Sequence, residues 1–127
     1  MKIHNPPTVA AGTGYSHGIE LPANARLLYC AGQLGVKPEG GFASDEIRGQ
    51  AAQAWRNIGA VLQAAGMGFE NIVKVTHYLL RGEDLAAYRE VRAQFLGKHA
   101  PASTLLVISA LARPEALIEV EVVAAKE

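Results

Sequence analysis

Between Ser44 and Gly66 the apolar residues Ile47, Ala51, Ala54, Trp55, Ile58, Val61, Leu62 and Ala65 recur in steps of three and four. That spacing lays one apolar stripe along a helix. Ser44 with Asp45 and Glu46 marks its start, because a hydroxyl and acidic side chains satisfy free amides and the dipole there. Gly66 marks its end. A second helical spacing, Leu85, Tyr88, Val91 and Phe95, runs over Glu83–Leu96 and closes at Gly97.

The remaining apolar segments are short and extended. Gly18–Leu21 and Arg26–Gln33 flank Pro22-Ala23-Asn24-Ala25 and predict a hairpin. Asn71–Leu80 is rich in β-branched and aromatic residues and predicts a strand. Thr104–Ala110 is nearly all apolar, as expected of a strand covered on both faces. Over Leu117–Ala124 the residues Ile118, Val120, Val122 and Ala124 alternate with Glu119 and Glu121, so one face is apolar and the other carries carboxylates. Arg113-Pro114-Glu115 supplies the turn before it, and residues 1–14 form an extended leader. The order ββαβαββ predicts an α+β domain spanning 1–127, with both helices on one face of a mixed sheet. The second face of such a sheet then needs a cover, which points to self-association.

Composition narrows the functional classes. Twelve basic residues balance twelve acidic ones in 127. No concentrated positive face is expected for nucleic acid to dock on. No apolar run approaches the ~20 residues of a membrane-spanning helix, and residues 1–7 show no signal-peptide core. Cys30 is the single cysteine, which fits a reducing cytoplasm. It lies within the apolar run Leu27–Ala31, where a buried, inert thiol is expected over a nucleophile.

Most catalytic motifs are absent. The histidines His4, His17, His77 and His99 have no paired metal-ligand spacing, so no metal site is expected. Gly12-Thr13-Gly14 with Gly18 misses the dinucleotide fingerprint by one residue and has neither the strand nor the helix it requires. Two candidates are left. Glu119 and Glu121 share one strand face, read either as a solvated edge or as carboxylates lining a cleft, where one activates water. Gly14-Tyr15-Ser16-His17 reads either as a core-edge cap or as a segment closing over a small ligand.

Together these segments resemble the Rid (YjgF) family. Tyr15-Ser16 is similar to its entry motif and Cys30-Ala31-Gly32-Gln33-Leu34 to its Ser-Gly-Gln segment. Gln53–Gly66 resembles its first-helix signature and Ile72-Val73-Lys74-Val75-Thr76 the strand that follows. Pro101-Ala102 and Ile118–Ala124 resemble its two closing motifs. The resemblance implies a chorismate-mutase-like fold in a homotrimer, with small-molecule clefts between subunits and no cofactor. It implies hydrolysis of an enamine or imine, with water adding to C=N and ammonia leaving. Carried over, the catalytic glutamate falls on Glu119 and the cleft tyrosine on Tyr15. Substrate-binding segments fall on Gly32 and on Ser103-Thr104.

One departure bears on the substrate. Ser103 stands where the family has an arginine that clamps the substrate carboxylate. A charged hydrogen bond contributes about 1.5–3 kcal/mol against about 1 for a neutral one. The exchange predicts affinity weaker by one to two orders of magnitude, a different ligand, or a non-catalytic trimer that only binds a metabolite. Ala31 likewise replaces the usual serine before Gly32. Arg89, in the second helix, either reaches the cleft as a substitute clamp or belongs with Arg92, Glu90 and Glu83 to a solvated face.

Overall fold

The computed structural model describes residues 1–127. Its helices follow the apolar stripes. Helix α1 (Ile47–Ala64) buries Ile47, Ala51, Ala54, Trp55, Ile58 and Leu62. It starts two residues later than Ser44 as a cap would place it, since the Ser44 hydroxyl accepts the Glu46 amide at 3.0 Å, ahead of the first turn. At the other end Gly66 takes φ +70°, a left-handed value that suits glycine. Helix α2 (Leu85–Leu96) buries Tyr88, Val91 and Leu96 and is preceded by a short 3-10 turn over Gly82–Asp84.

The strands are β1 (Lys2–His4), β2 (Gly18–Glu20), β3 (Arg26–Gln33), β4 (Ile72–Leu79), β5 (Ala102–Val107) and β6 (Ile118–Lys126). Four form a mixed sheet in the order β3-β6-β4-β5, with β4 and β5 parallel and the other pairs antiparallel. Both helices pack on one face, where α1 and α2 meet Cys30, Val75, Leu79, Ile118, Val120 and Val122 in a single core. This is the α+β layout that the alternation of apolar segments predicts.

Two local expectations fail. Gly18–Leu21 and Arg26–Gln33 do not form a hairpin: β2 pairs with β1, and β3 pairs with β6. The leader therefore contributes a strand of its own, and the Pro22–Ala25 turn hands the chain from one sheet to another. The apolar run after Pro101 is not covered on both faces. Strand β5 lies at the sheet edge, and Leu106 and Val107 are 44% and 56% exposed in the single chain.

One fully enclosed polar side chain ties the layers together. Gln50 donates to the carbonyls of Ser44 (3.0 Å) and Glu115 (2.9 Å) and accepts from the Leu117 amide (2.8 Å). It pins the start of α1 to the turn before β6, with its amide bonds satisfied. No helix is long and apolar enough to cross a membrane.

Candidate functional site

The alternation in β6 turns Ile118, Val120 and Val122 into the core and leaves Glu119 and Glu121 on the uncovered face. Cross-strand register sets Tyr78 opposite Glu119 and Thr76 opposite Glu121. Tyr78 donates its hydroxyl hydrogen to Glu121, and that bond is the first cause raising the Tyr78 pKa. An open pocket of about 300 Å³ lies here, lined by Tyr78, Glu119, Glu121, Ile108 and Leu111 among others.

Gly32 completes this corner. A Cβ at residue 32 would overlap the Glu119 carboxylate, so glycine is what lets the carboxylate lie against the strand. Behind Gly32, Asn57 on α1 donates to the carbonyls of Leu34 (3.3 Å) and Val36 (2.9 Å) and accepts from Gln53 (2.9 Å). The first-helix signature thus holds the loop that follows Gly32 in place.

Thr104 is on the same open face, paired with Thr76, and accepts from Lys74 Nζ at 2.6 Å. Ser103 points the other way. Its Oγ lies 3.0 Å from Nε2 of His77, whose Nδ1 in turn meets the Tyr88 hydroxyl. His77 is fully enclosed between sheet and helices. Burial first, then the charges of Arg92 and Lys74, pull its pKa down to about 3, so the ring is neutral in ordinary buffers. Burial likewise pushes the Tyr88 phenol up.

The entry segment is stapled to the start of β5. Ser16 donates through Oγ to the Ala100 carbonyl (2.6 Å) and through its amide to that of Pro101 (3.2 Å), and it bridges Ala102. Tyr15 stays 37% exposed, its ring edge-on to His17. His17 is engaged by the leader, through Asn5 Oδ1 to its amide and the Ala10 carbonyl to Nε2. Tyr15 and His17 also border a cavity of about 380 Å³ framed by residues 5–12. Cys30 is buried, and burial raises its thiol pKa, which suits an inert core thiol.

The expected residues therefore divide. Glu119, Gly32 and Thr104 share the open face, while Ser103 and Tyr15 lie at the other face and edge. Arg89 is exposed on α2, and the arginine turned toward the entry segment is Arg92: a Cβ at Gly14 would lie 3.5 Å from its Nη2. Two further residues were missed by sequence reasoning. Tyr78 shares strand parity with Thr76, and His77 shares it with Val75 and Leu79; that parity was the available signal.

Comparison with known proteins agrees with this fold. The family model described as Endoribonuclease L-PSP matches residues 5–126. A RutC family protein of Pyrococcus horikoshii is 36% identical over 114 residues, covering 89% of this chain and 87% of the relative. The human 2-iminobutanoate/2-iminopropanoate deaminase is 35% identical over 100 residues, 78% of this chain and 72% of its own. The crystal structure of the Rid-family protein YyfB from Yersinia pestis superposes with a TM-score of 0.88 at 29% identity, covering 98% of both chains. With the family model matching nearly the whole length and the fold shared with a Rid-family structure, the chain belongs to the Endoribonuclease L-PSP family, the family also called Rid or YjgF.

Proposed function

We propose that this chain is a cofactor-free hydrolase of a reactive enamine or imine, acting in clefts between the subunits of a homotrimer. The observation that carries this reading is the Glu119 carboxylate lodged against Gly32 beside an open pocket. Relatives that are imine deaminases support the same chemistry.

In the proposed reaction Glu119 accepts a proton from water as the water oxygen bonds to the C=N carbon. The nitrogen takes up a proton, giving a carbinolamine. Collapse of that intermediate forms C=O, breaks C–N and releases ammonia. Positioned proton transfer of this kind contributes typically 10²–10⁴-fold. Tyr15 and the backbone at Gly32 and Thr104 line the cleft.

Subunit association has its own support. Leu27, Tyr29 and Leu106 are exposed in the single chain, and Tyr29 is 74% accessible. Ser103 and Glu119 also occupy opposite faces of one sheet, too far apart for one small molecule to touch both in a single chain. A neighbouring subunit brings the second group. The lone buried thiol and the absence of a long apolar helix fit action in the cytoplasm. The balanced charge favours a small-molecule ligand over RNA.

The test follows keto-acid release from enzymatically generated 2-iminobutanoate, with and without the protein. Acceleration that is lost in Glu119→Gln supports the reading. Acceleration that survives in Glu119→Gln refutes the role of Glu119. The Ser103 departure favours a second reading, a trimer that binds a small metabolite without turnover. Binding unaltered in Glu119→Gln, with no product formed, selects it.

A further inference from the structure

Hydrogen-bond donors are scarce around Glu119. Its carboxylate, lodged against Gly32, accepts from no group of the fold. No lysine or arginine lies within ion-pair distance of Glu119 or of Glu121. Lys74, the cation on this face of β4, is engaged by Thr104. An ionised carboxylate can only accept, so Glu119 takes its hydrogens from what enters the pocket.

Tyr78 is the other group that meets this pocket with an oxygen. It stands directly opposite Glu119 in the ladder between β4 and β6, a register that sets the two Cβ atoms about 5 Å apart. Its one hydroxyl hydrogen goes to Glu121, two residues along the same face of β6. That bond first, then burial, then the charges of Glu121 and Glu119, raise the phenol pKa, so the group keeps its hydrogen in ordinary buffers. With that hydrogen committed, the phenol oxygen can only accept toward the pocket. Tyr78 and Glu119 thus face one open space, both as acceptors.

A small molecule held by two acceptors must bring two hydrogens. Water does. A water bonded to one carboxylate oxygen still turns about that bond, and its lone pairs sweep with it. A second acceptor stops the rotation and leaves a lone pair directed away from both partners, toward an electrophile. Orientation of this kind lowers the barrier by removing freedom before the reaction begins.

We propose that Tyr78 holds the attacking water together with Glu119, the phenol oxygen accepting one hydrogen and the carboxylate the other, and that Glu121 positions Tyr78 by taking the phenol hydrogen. This deepens the hydrolase reading, on which it rests. As the water oxygen bonds to the C=N carbon, the π pair moves to nitrogen, which takes up a proton, and Glu119 removes the first hydrogen of the water as a proton. The second stays on the oxygen as the carbinolamine hydroxyl, still directed at Tyr78. Without Glu121 as acceptor, the phenol would turn its hydrogen toward Glu119 and compete with the water for the carboxylate.

Neutron diffraction from crystals of the protein grown in D2O tests the geometry, and keto-acid release from enzymatically generated 2-iminobutanoate tests the rate. The phenol deuterium should point to Glu121, and one water should lie within hydrogen-bond reach of both Tyr78 and Glu119. That water should be lost in crystals of Tyr78→Phe. Tyr78→Phe should lower kcat roughly three- to tenfold, as the loss of one neutral hydrogen bond does, at unchanged KM and unchanged unfolding midpoint. Glu121→Leu should fall at least as far. Glu121→Gln, whose amide oxygen still accepts the phenol hydrogen, should fall less. A side chain that only fills space would not separate kcat from KM or rank glutamine above leucine at residue 121. No shared water in wild type, or wild-type kcat in Tyr78→Phe, overturns the role of Tyr78 and leaves Glu119 as the base. A shared water that Tyr78→Phe loses, in a protein that does not hydrolyse the imine, supports the water site and defeats the hydrolase reading alone.

Discussion

Ser103 Oγ and Nε2 of His77 stand 3.0 Å apart on the helix-covered face of the sheet. The residue that follows Pro101-Ala102 is thus held by a buried imidazole that is itself held by Tyr88. The serine is integrated into the core, and a longer residue at 103 would have to leave His77 without that partner.

His77 makes stability depend on pH in a defined direction. Its folded pKa of about 3 is below the ordinary value of 6.5, so the unfolded chain binds more protons between those limits. The stabilisation is present above about 6.5 and declines by up to about 1.4 kcal/mol per pH unit as pH falls toward 3. Urea unfolding at pH 7 and pH 5 should show this slope in wild type. His77→Phe should be less stable at pH 7, because Tyr88 loses its partner, and should have a flatter slope. An identical slope in both proteins would show that His77 is not the titrating group.

Gly32→Ala should cost activity without costing the fold. The added methyl overlaps the Glu119 carboxylate and forces that side chain out of its corner. A fall in kcat of about 10²-fold or more is expected, with the unfolding midpoint close to wild type. Wild-type turnover in Gly32→Ala would show that the carboxylate acts from another position.

Glu119 and Ser103 lie on opposite sides of one sheet, which makes a mixing experiment informative. In the proposed trimer, Glu119→Gln and Tyr15→Ala subunits, each weak alone, should recover activity when refolded together, because some mixed clefts would hold one intact copy of each group. No recovery would place both groups in the same subunit's contribution to the cleft.

Tyr29→Glu should impair assembly. The ring is 74% exposed on an otherwise uncovered face, and a carboxylate buried there by a neighbour costs several kcal/mol. Light scattering should give a smaller mass than for wild type, moving from the proposed trimer toward monomer. An unchanged mass would put the subunit contact elsewhere.

Much of this architecture was legible in the residues. The stripe from Ile47 to Leu62 and the alternation from Ile118 to Ala124 fix a helix and a strand by period alone, and they turn Glu119 outward. Pairing was less legible. Gly18–Leu21 and Arg26–Gln33 are adjacent in sequence, but their partners are β1 and β6, and short-range turn signals carry no information about a strand some ninety residues away. The apolar run after Pro101 reads as doubly covered because apolar composition alone does not distinguish an edge strand from a central one. Arg89 and Arg92 also look alike in sequence. They differ by three positions on α2, enough to leave one in water and turn the other toward Gly14.

The sheet order β3-β6-β4-β5 has a consequence for biosynthesis. The strand made after all the others is the one inserted between β3 and β4. A nascent chain can form both helices and pair β4 with β5, yet β3 has no neighbour in that sheet until residues 118–126 emerge. Contacts so distant in sequence form slowly. Until then the inner edges of β3 and β4 and half the apolar floor beneath α1 stay open to other chains. A ribosome stalled before residue 118 would therefore present both helices and the other strands with no closed core, the state in which chaperone binding or aggregation competes with folding.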